Sequence, residues 1–68
     1  MDISKMLRDA RKRKGYTLKE LEAVTGIGKS AIQRYECGQD MTITRAIKLF
    51  NALDVSMEVV IKRKEGNF

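Results

Sequence analysis

The chain contains no histidine, no proline, no tryptophan and one cysteine, Cys37. With a single thiol there is no internal disulfide, and without histidine that thiol cannot complete a structural zinc site. No nucleophile–base pair stands out either, so neither an enzyme nor a cofactor is expected. No run approaches the ~18 consecutive apolar residues of a membrane span, and the N-terminus lacks a signal-peptide apolar core. The expectation is a soluble, cytoplasmic protein, in a compartment where a free thiol is ordinary. At 68 residues there is room for one domain and a thin core. A globule of this size buries only about 60% of the surface its unfolded chain exposes. Small domains compensate with disulfides, a metal or a second copy of themselves. Only the second copy is left.

What the chain does hold is positive charge. Its formal net charge is +5 and its pI is near 9.7. Residues 1–14 carry six Lys or Arg against two Asp, residues 15–61 carry five against six acids, and residues 62–68 carry three against one. A basic balance in a small domain favours nucleic acid or an anionic membrane as partner. Charged faces that merely keep the protein soluble are the competing explanation.

Periodicity divides the chain into four short helices and one strand. Apolar residues at 3, 6, 7 and 10 have helical spacing, with Asp2 placed to cap the start and Gly15 to stop the helix after Lys12, Arg13 and Lys14. Thr17 opens a capping box closed by Glu20, and the second helix ends at Gly26. After the turn Gly26-Ile27-Gly28 comes a third helix, KSAIQRYEC, stopped by Gly38. Thr42 or Thr44 caps a fourth, with Ile43, Ala46, Ile47, Phe50 and Leu53 on its apolar face and Asp54 in a left-handed conformation at its end. The period then changes to two: Val55, Met57, Val59 and Ile61 alternate with Ser56, Glu58, Val60 and Lys62, which predicts a strand with one apolar face.

The stretch AVTGIGKS, residues 23–30, has the form of a nucleotide-binding phosphate loop. That loop requires a buried strand before it, whereas LKELE reads as helix, and no acidic strand end is present to hold magnesium. The same residues suit another structure. Two short helices joined by a three- to four-residue turn containing Gly form a helix-turn-helix, whose second helix lies in the DNA major groove. Lys29 and Ser30 project from the first turn of that helix, where free backbone N–H groups favour an anion.

Arg11…Gly15-Tyr16-Thr17, Leu21, Thr25-Gly26-Ile27, Lys29-Ser30-Ala31-Ile32, Tyr35-Glu36-Cys37-Gly38 and the Ile47…Leu53 helix occur in an order that resembles the Cro/C1-type, lambda-repressor-like regulators. The resemblance covers roughly residues 3–55. It implies that Lys29, Ser30, Gln33 and Arg34 read bases, that Thr17, Lys19 and Gln39 meet phosphates, and that Arg11 and Glu36 form a partly buried ion pair. Without the family match, Gln33 and Arg34 would pass as solvated polar positions on a helix face. Three positions depart from the pattern: Leu18 replaces a phosphate-contacting Gln, Glu22 a small residue at a helix contact, and Gly28 a Ser or Thr cap.

The expected fold is mostly α: a compact four-helix domain over residues 1–54, a strand at 55–63 pairing across a dimer, and a flexible tail at 64–68. A lone strand is unstable, so Val55, Met57, Val59 and Ile61 are expected to pair with the same segment of a second chain about a two-fold axis. Folding back on its own domain is the alternative. A four-helix body followed by such a strand is similar to the HipB-type antitoxins. The implied function is a sequence-specific repressor, homodimeric on an inverted-repeat operator in double-stranded DNA. The alternative is an antitoxin that binds a toxin protein and autoregulates its operon.

Overall fold

The computed structural model describes residues 3–56. They form α1 (Ile3–Lys14), α2 (Leu18–Thr25), α3 (Lys29–Glu36) and α4 (Ile43–Ala52). Each helix ends where the chain turns left-handed. Gly15, Gly26 and Gly38 have φ of 81°, 78° and 114°, and Asp54 has φ 60°. At α1 the Gly15 and Tyr16 N–H groups donate to the Lys12 and Arg11 carbonyls, at 3.0 and 3.1 Å, and the pattern recurs at Gly38–Gln39 and at Asp54–Val55. This reciprocal pairing satisfies carbonyls that a helix end leaves bare. Asp54 is the one non-glycine in that conformation among the described residues, a role its short polar side chain tolerates.

The helix starts follow the caps read from the sequence. The Thr17 hydroxyl accepts from the Glu20 N–H at 3.0 Å, and Glu20 Oε1 accepts from the Thr17 N–H at 2.8 Å. At α4 the cap is Thr42 rather than Thr44, its hydroxyl accepting from the Arg45 N–H at 3.2 Å. The Asp2 cap lies outside the described residues.

All four helices feed one core, in which Leu7, Leu21, Ile32, Leu49 and Phe50 are completely enclosed. Ala10, Ile27, Tyr35, Ala46 and Leu53 complete it. Enclosing a side chain of this size contributes roughly 1.5–3 kcal/mol each. The apolar face expected for α4 needs correction. Ala46, Phe50 and Leu53 are buried as expected and Leu49 joins them, but Ile43 and Ile47 are 60% and 41% exposed. Spacing shows that apolar residues share an arc. The arc here is wider than the contact with α1 and α2, which takes the Leu49 side and leaves the Ile43–Ile47 edge in solvent.

Three polar ties cross between helices. Arg11 grips Glu36 through Nε–Oε2 at 2.7 Å and Nη2–Oε1 at 3.0 Å, and its Nη1 donates to the Tyr16 carbonyl at 2.9 Å. This joins α1 to both α3 and the entry of α2. Lys14 pairs with Asp54, linking the end of α1 to the end of α4. Arg45 donates to the Tyr35 hydroxyl. Its guanidinium lies 5.9 Å from the Tyr35 ring centre, so the contact is made at the hydroxyl edge rather than over the ring face.

Val55 is half-buried against the core, and its N–H donates to the Phe50 carbonyl at 2.9 Å. Met57, Val59 and Ile61, the remaining residues of the expected strand, lie outside the described residues.

Candidate nucleic-acid interface

The Gly-Lys-Ser of AVTGIGKS runs from the end of a turn between helices into the first turn of the next helix. Residues 18–25 are α2, and Lys29 and Ser30 open α3, so no strand precedes the loop and the nucleotide-loop geometry is absent. The turn itself is held by Thr25. Its hydroxyl donates to the Leu21 carbonyl at 2.8 Å and accepts from the Ile27 N–H at 3.2 Å. This anchors Ile27, which plugs the core, and so sets the direction in which α3 leaves.

The first turns of α2 and α3 open onto one groove of about 470 Å³, lined by Arg11, Thr17, Leu18, Lys19, Lys29, Ser30 and Gln33. Both ends that face it favour an anion. The cap of α3, Gly28, makes no side-chain hydrogen bond to the N–H groups of that helix. Those donors and the positive end of the helix dipole are therefore available to a ligand. At α2 the Thr17 hydroxyl uses an acceptor position on the Glu20 N–H, leaving its own proton to donate outward. The hydrogen bond from the Thr17 backbone N–H holds the Glu20 carboxyl below its ordinary range. With a depressed folded value, the stability from this box is present above the unfolded carboxyl pKa and is lost as pH falls through the folded one.

The expected site residues separate into two groups. Thr17, Lys19, Lys29, Ser30 and Gln33 meet in the groove, although they come from two helices. Arg34 and Gln39 are exposed but do not line it. Helical geometry puts Arg34 on the Ser30 edge of the exposed arc of α3, with Lys29 and Gln33 on the other edge. Gln39 is fixed by its N–H donating to the Arg34 carbonyl at 3.0 Å, so Gly38 places it directly beyond α3. Arg11 and Glu36 form the expected ion pair, with side chains only 13% and 8% exposed.

Of the three positions that depart from the family pattern, Leu18 is half-buried against the core and gives the groove an apolar wall. Glu22 and Gly28 face one another. A Cβ on Gly28 would lie 4.0 Å from a Glu22 carboxylate oxygen, an ordinary contact, and the Gly28 φ of −58° suits any residue. Nothing in the protein's own packing therefore requires glycine there. Arg45, which the sequence did not single out, also lies exposed near the end of α3 through its bond to Tyr35. Its one signal in the sequence was a positive charge in the first turn of an amphipathic helix.

Residues 7–60 match the model of the helix-turn-helix family. The chain belongs to the Cro/C1-type helix-turn-helix family. A protein of Pyrococcus abyssi whose name describes an HTH-type transcriptional regulatory protein is similar to it, with 37% identity over 65 residues. That alignment takes in 94% of this chain but 21% of the relative, so the chain spans about a fifth of the relative's length. No solved structure matches the chain. Among the described residues no helix is long and apolar enough to cross a membrane, and no group of His, Cys, Asp or Glu could hold a metal. In helix-turn-helix terms α2 is the first helix of the motif and α3 the second, joined by the turn that Thr25 and Gly26 shape.

Proposed function

We propose that the chain is a sequence-specific DNA-binding transcriptional regulator that acts as a homodimeric repressor on an inverted-repeat operator. The observation that carries this is the groove, which gathers five of the seven expected DNA contacts beside two helix N-termini. The name of the Pyrococcus abyssi relative supports the same reading. In the proposal Lys29, Ser30, Gln33 and Arg34 read base edges, while Thr17, Lys19 and Gln39 hold the backbone. Residues 1–54 form the DNA-binding unit, 55–63 the dimerising strand and 64–68 the tail. A two-fold dimer places its recognition helices in successive major grooves about 34 Å apart.

Selection of duplexes from a random library, followed by binding curves at several salt concentrations, tests the reading. Arg34→Ala should flatten the preference at one base pair per half-site, at a cost of about 1–3 kcal/mol on the selected duplex. Lys19→Ala should weaken all duplexes alike and lower the slope of log affinity against log salt by about 1. If Arg34→Ala weakens selected and scrambled DNA equally, Arg34 is a phosphate contact and not a reader of bases.

The dimer is proposed to form through Val55, Met57, Val59 and Ile61. Val59→Lys should then yield monomers and reduce operator affinity by well over tenfold, since one half-site alone remains. A variant that sediments as a dimer rules out strand pairing. The second reading, an antitoxin that also binds a toxin protein, is favoured by the apolar Val24, Ile43 and Ile47, which are exposed outside the DNA groove. Co-expression with the product of an adjacent gene would test it, stable co-purification supporting the antitoxin role.

A further inference from the structure

We infer that the flank of α1 carrying Lys5, Arg8 and Lys12 is a second contact surface for the DNA backbone, engaging duplex beyond the segment that α3 reads. The inference rests on the DNA-binding reading above. The three side chains follow one another at i, i+3 and i+7 and are all exposed. With Asp9 and Glu36 they line an open depression of about 400 Å³. Glu36 is already neutralised by Arg11, which leaves Asp9 as the one acid set against three cations. The ion pairs among the described residues are Arg11–Glu36 and Lys14–Asp54, so Lys5, Arg8 and Lys12 are uncommitted there.

Continuity with the groove identifies the occupant. Arg11 lines the α2–α3 groove and its partner Glu36 lines the α1 depression, so one ion pair forms a wall common to both. Seven residues of helix cover about 10 Å. A duplex carries a negative charge about every 1.7 Å of axis, so that length faces more than one phosphate. A protein partner suits the depression less well. Its lining is entirely charged, whereas protein interfaces are depleted of Lys and Glu and enriched in aromatic residues and Met at their centres.

The test uses the full chain and a duplex selected from the random library, either trimmed to the site or extended by one helical turn at each end. On the extended duplex, Lys5→Ala/Arg8→Ala/Lys12→Ala should lower the salt slope by about 0.9 per lost contact, roughly 2–3 in all. On the trimmed duplex the slope should not change, and base preference should hold on both. Lys5→Arg/Arg8→Lys/Lys12→Arg should restore the slope, and an unchanged circular dichroism melt would show that the alanine variant is folded. A wild-type slope for the folded alanine variant on extended DNA overturns the inference, leaving the flank to solvent or an acidic protein. A changed base preference also overturns it, because the flank would then be orienting α3. If the wild-type chain selects no duplex, the DNA-binding reading itself fails, which is a separate outcome.

Discussion

Replacing Glu36 with Ala should lower the melting temperature by roughly 10–20 °C and weaken DNA binding together with it. The carboxylate is 8% exposed and accepts two hydrogen bonds from a guanidinium that is itself 13% exposed. Removing one partner of a buried pair costs about 3–5 kcal/mol, because the other charge stays desolvated and unmatched. Residual exposure of Arg11 and its surviving bond to the Tyr16 carbonyl reduce this to about 2–3 kcal/mol. In a domain this small, 1 kcal/mol moves the midpoint by about 4–8 °C. Affinity should fall because Arg11 walls the groove, and a loosened Arg11 no longer fixes α1 against α3. Glu36→Gln keeps the shape and one acceptor, so it should recover part of the loss. A midpoint shift below about 3 °C for Glu36→Ala would show that the pair is a solvated surface contact.

Phe50→Ala should be more damaging still. Phe50 is the largest of the fully enclosed side chains, and its removal leaves a cavity where α4 meets the other helices. Large-to-small changes of this kind cost about 3–5 kcal/mol. Native stabilities run from about 5 to 15 kcal/mol, and a short chain belongs near the lower end. The variant should therefore be mostly unfolded near 37 °C by circular dichroism. A ligand that binds only the native state adds about 2.7 kcal/mol at a hundred times its Kd. Saturating duplex should accordingly refold much of the variant, which ties the stability measurement to the proposed function. Ile47→Ala is the contrast on the same helix: 41% exposed, it should change stability by no more than about 0.5 kcal/mol. A comparable loss at Ile47 would mean that a partner covers that edge in solution.

Local chemistry was legible in advance. Gly15, Gly26, Gly38 and Asp54 mark the helix ends because a left-handed residue is demanded there and few residue types accept it. Thr17 with Glu20 marks the start of α2 because a side chain three residues away can satisfy a bare N–H. The exposure of Cys37 was not legible: the periodicity carried it into the third helix, whereas α3 ends at Glu36 and Cys37 is the exposed cap beyond it. The apolar arc of α4 was legible only in part, since Ile43 and Ile47 have the right spacing but the wrong neighbours.

The sequence by itself determined four helices, the capping box that opens α2, the turn between α2 and α3, and the surplus of positive charge at the N-terminus. These rest on interactions within a few residues, or on composition, and need no knowledge of what lies across the core. Only the tertiary structure decided that Thr17 and Lys19 meet Lys29, Ser30 and Gln33 across one groove, and that Arg34 stands outside its lining. It alone joined Lys14 to Asp54 and Tyr35 to Arg45, and placed Lys5, Arg8 and Lys12 beside the Arg11–Glu36 wall. Those arrangements depend on the angles at which helices cross, which follow from how Leu7, Leu21, Ile32, Leu49 and Phe50 fill a common volume. Spacing along the chain carries the face of each helix but not the volume it shares with the others.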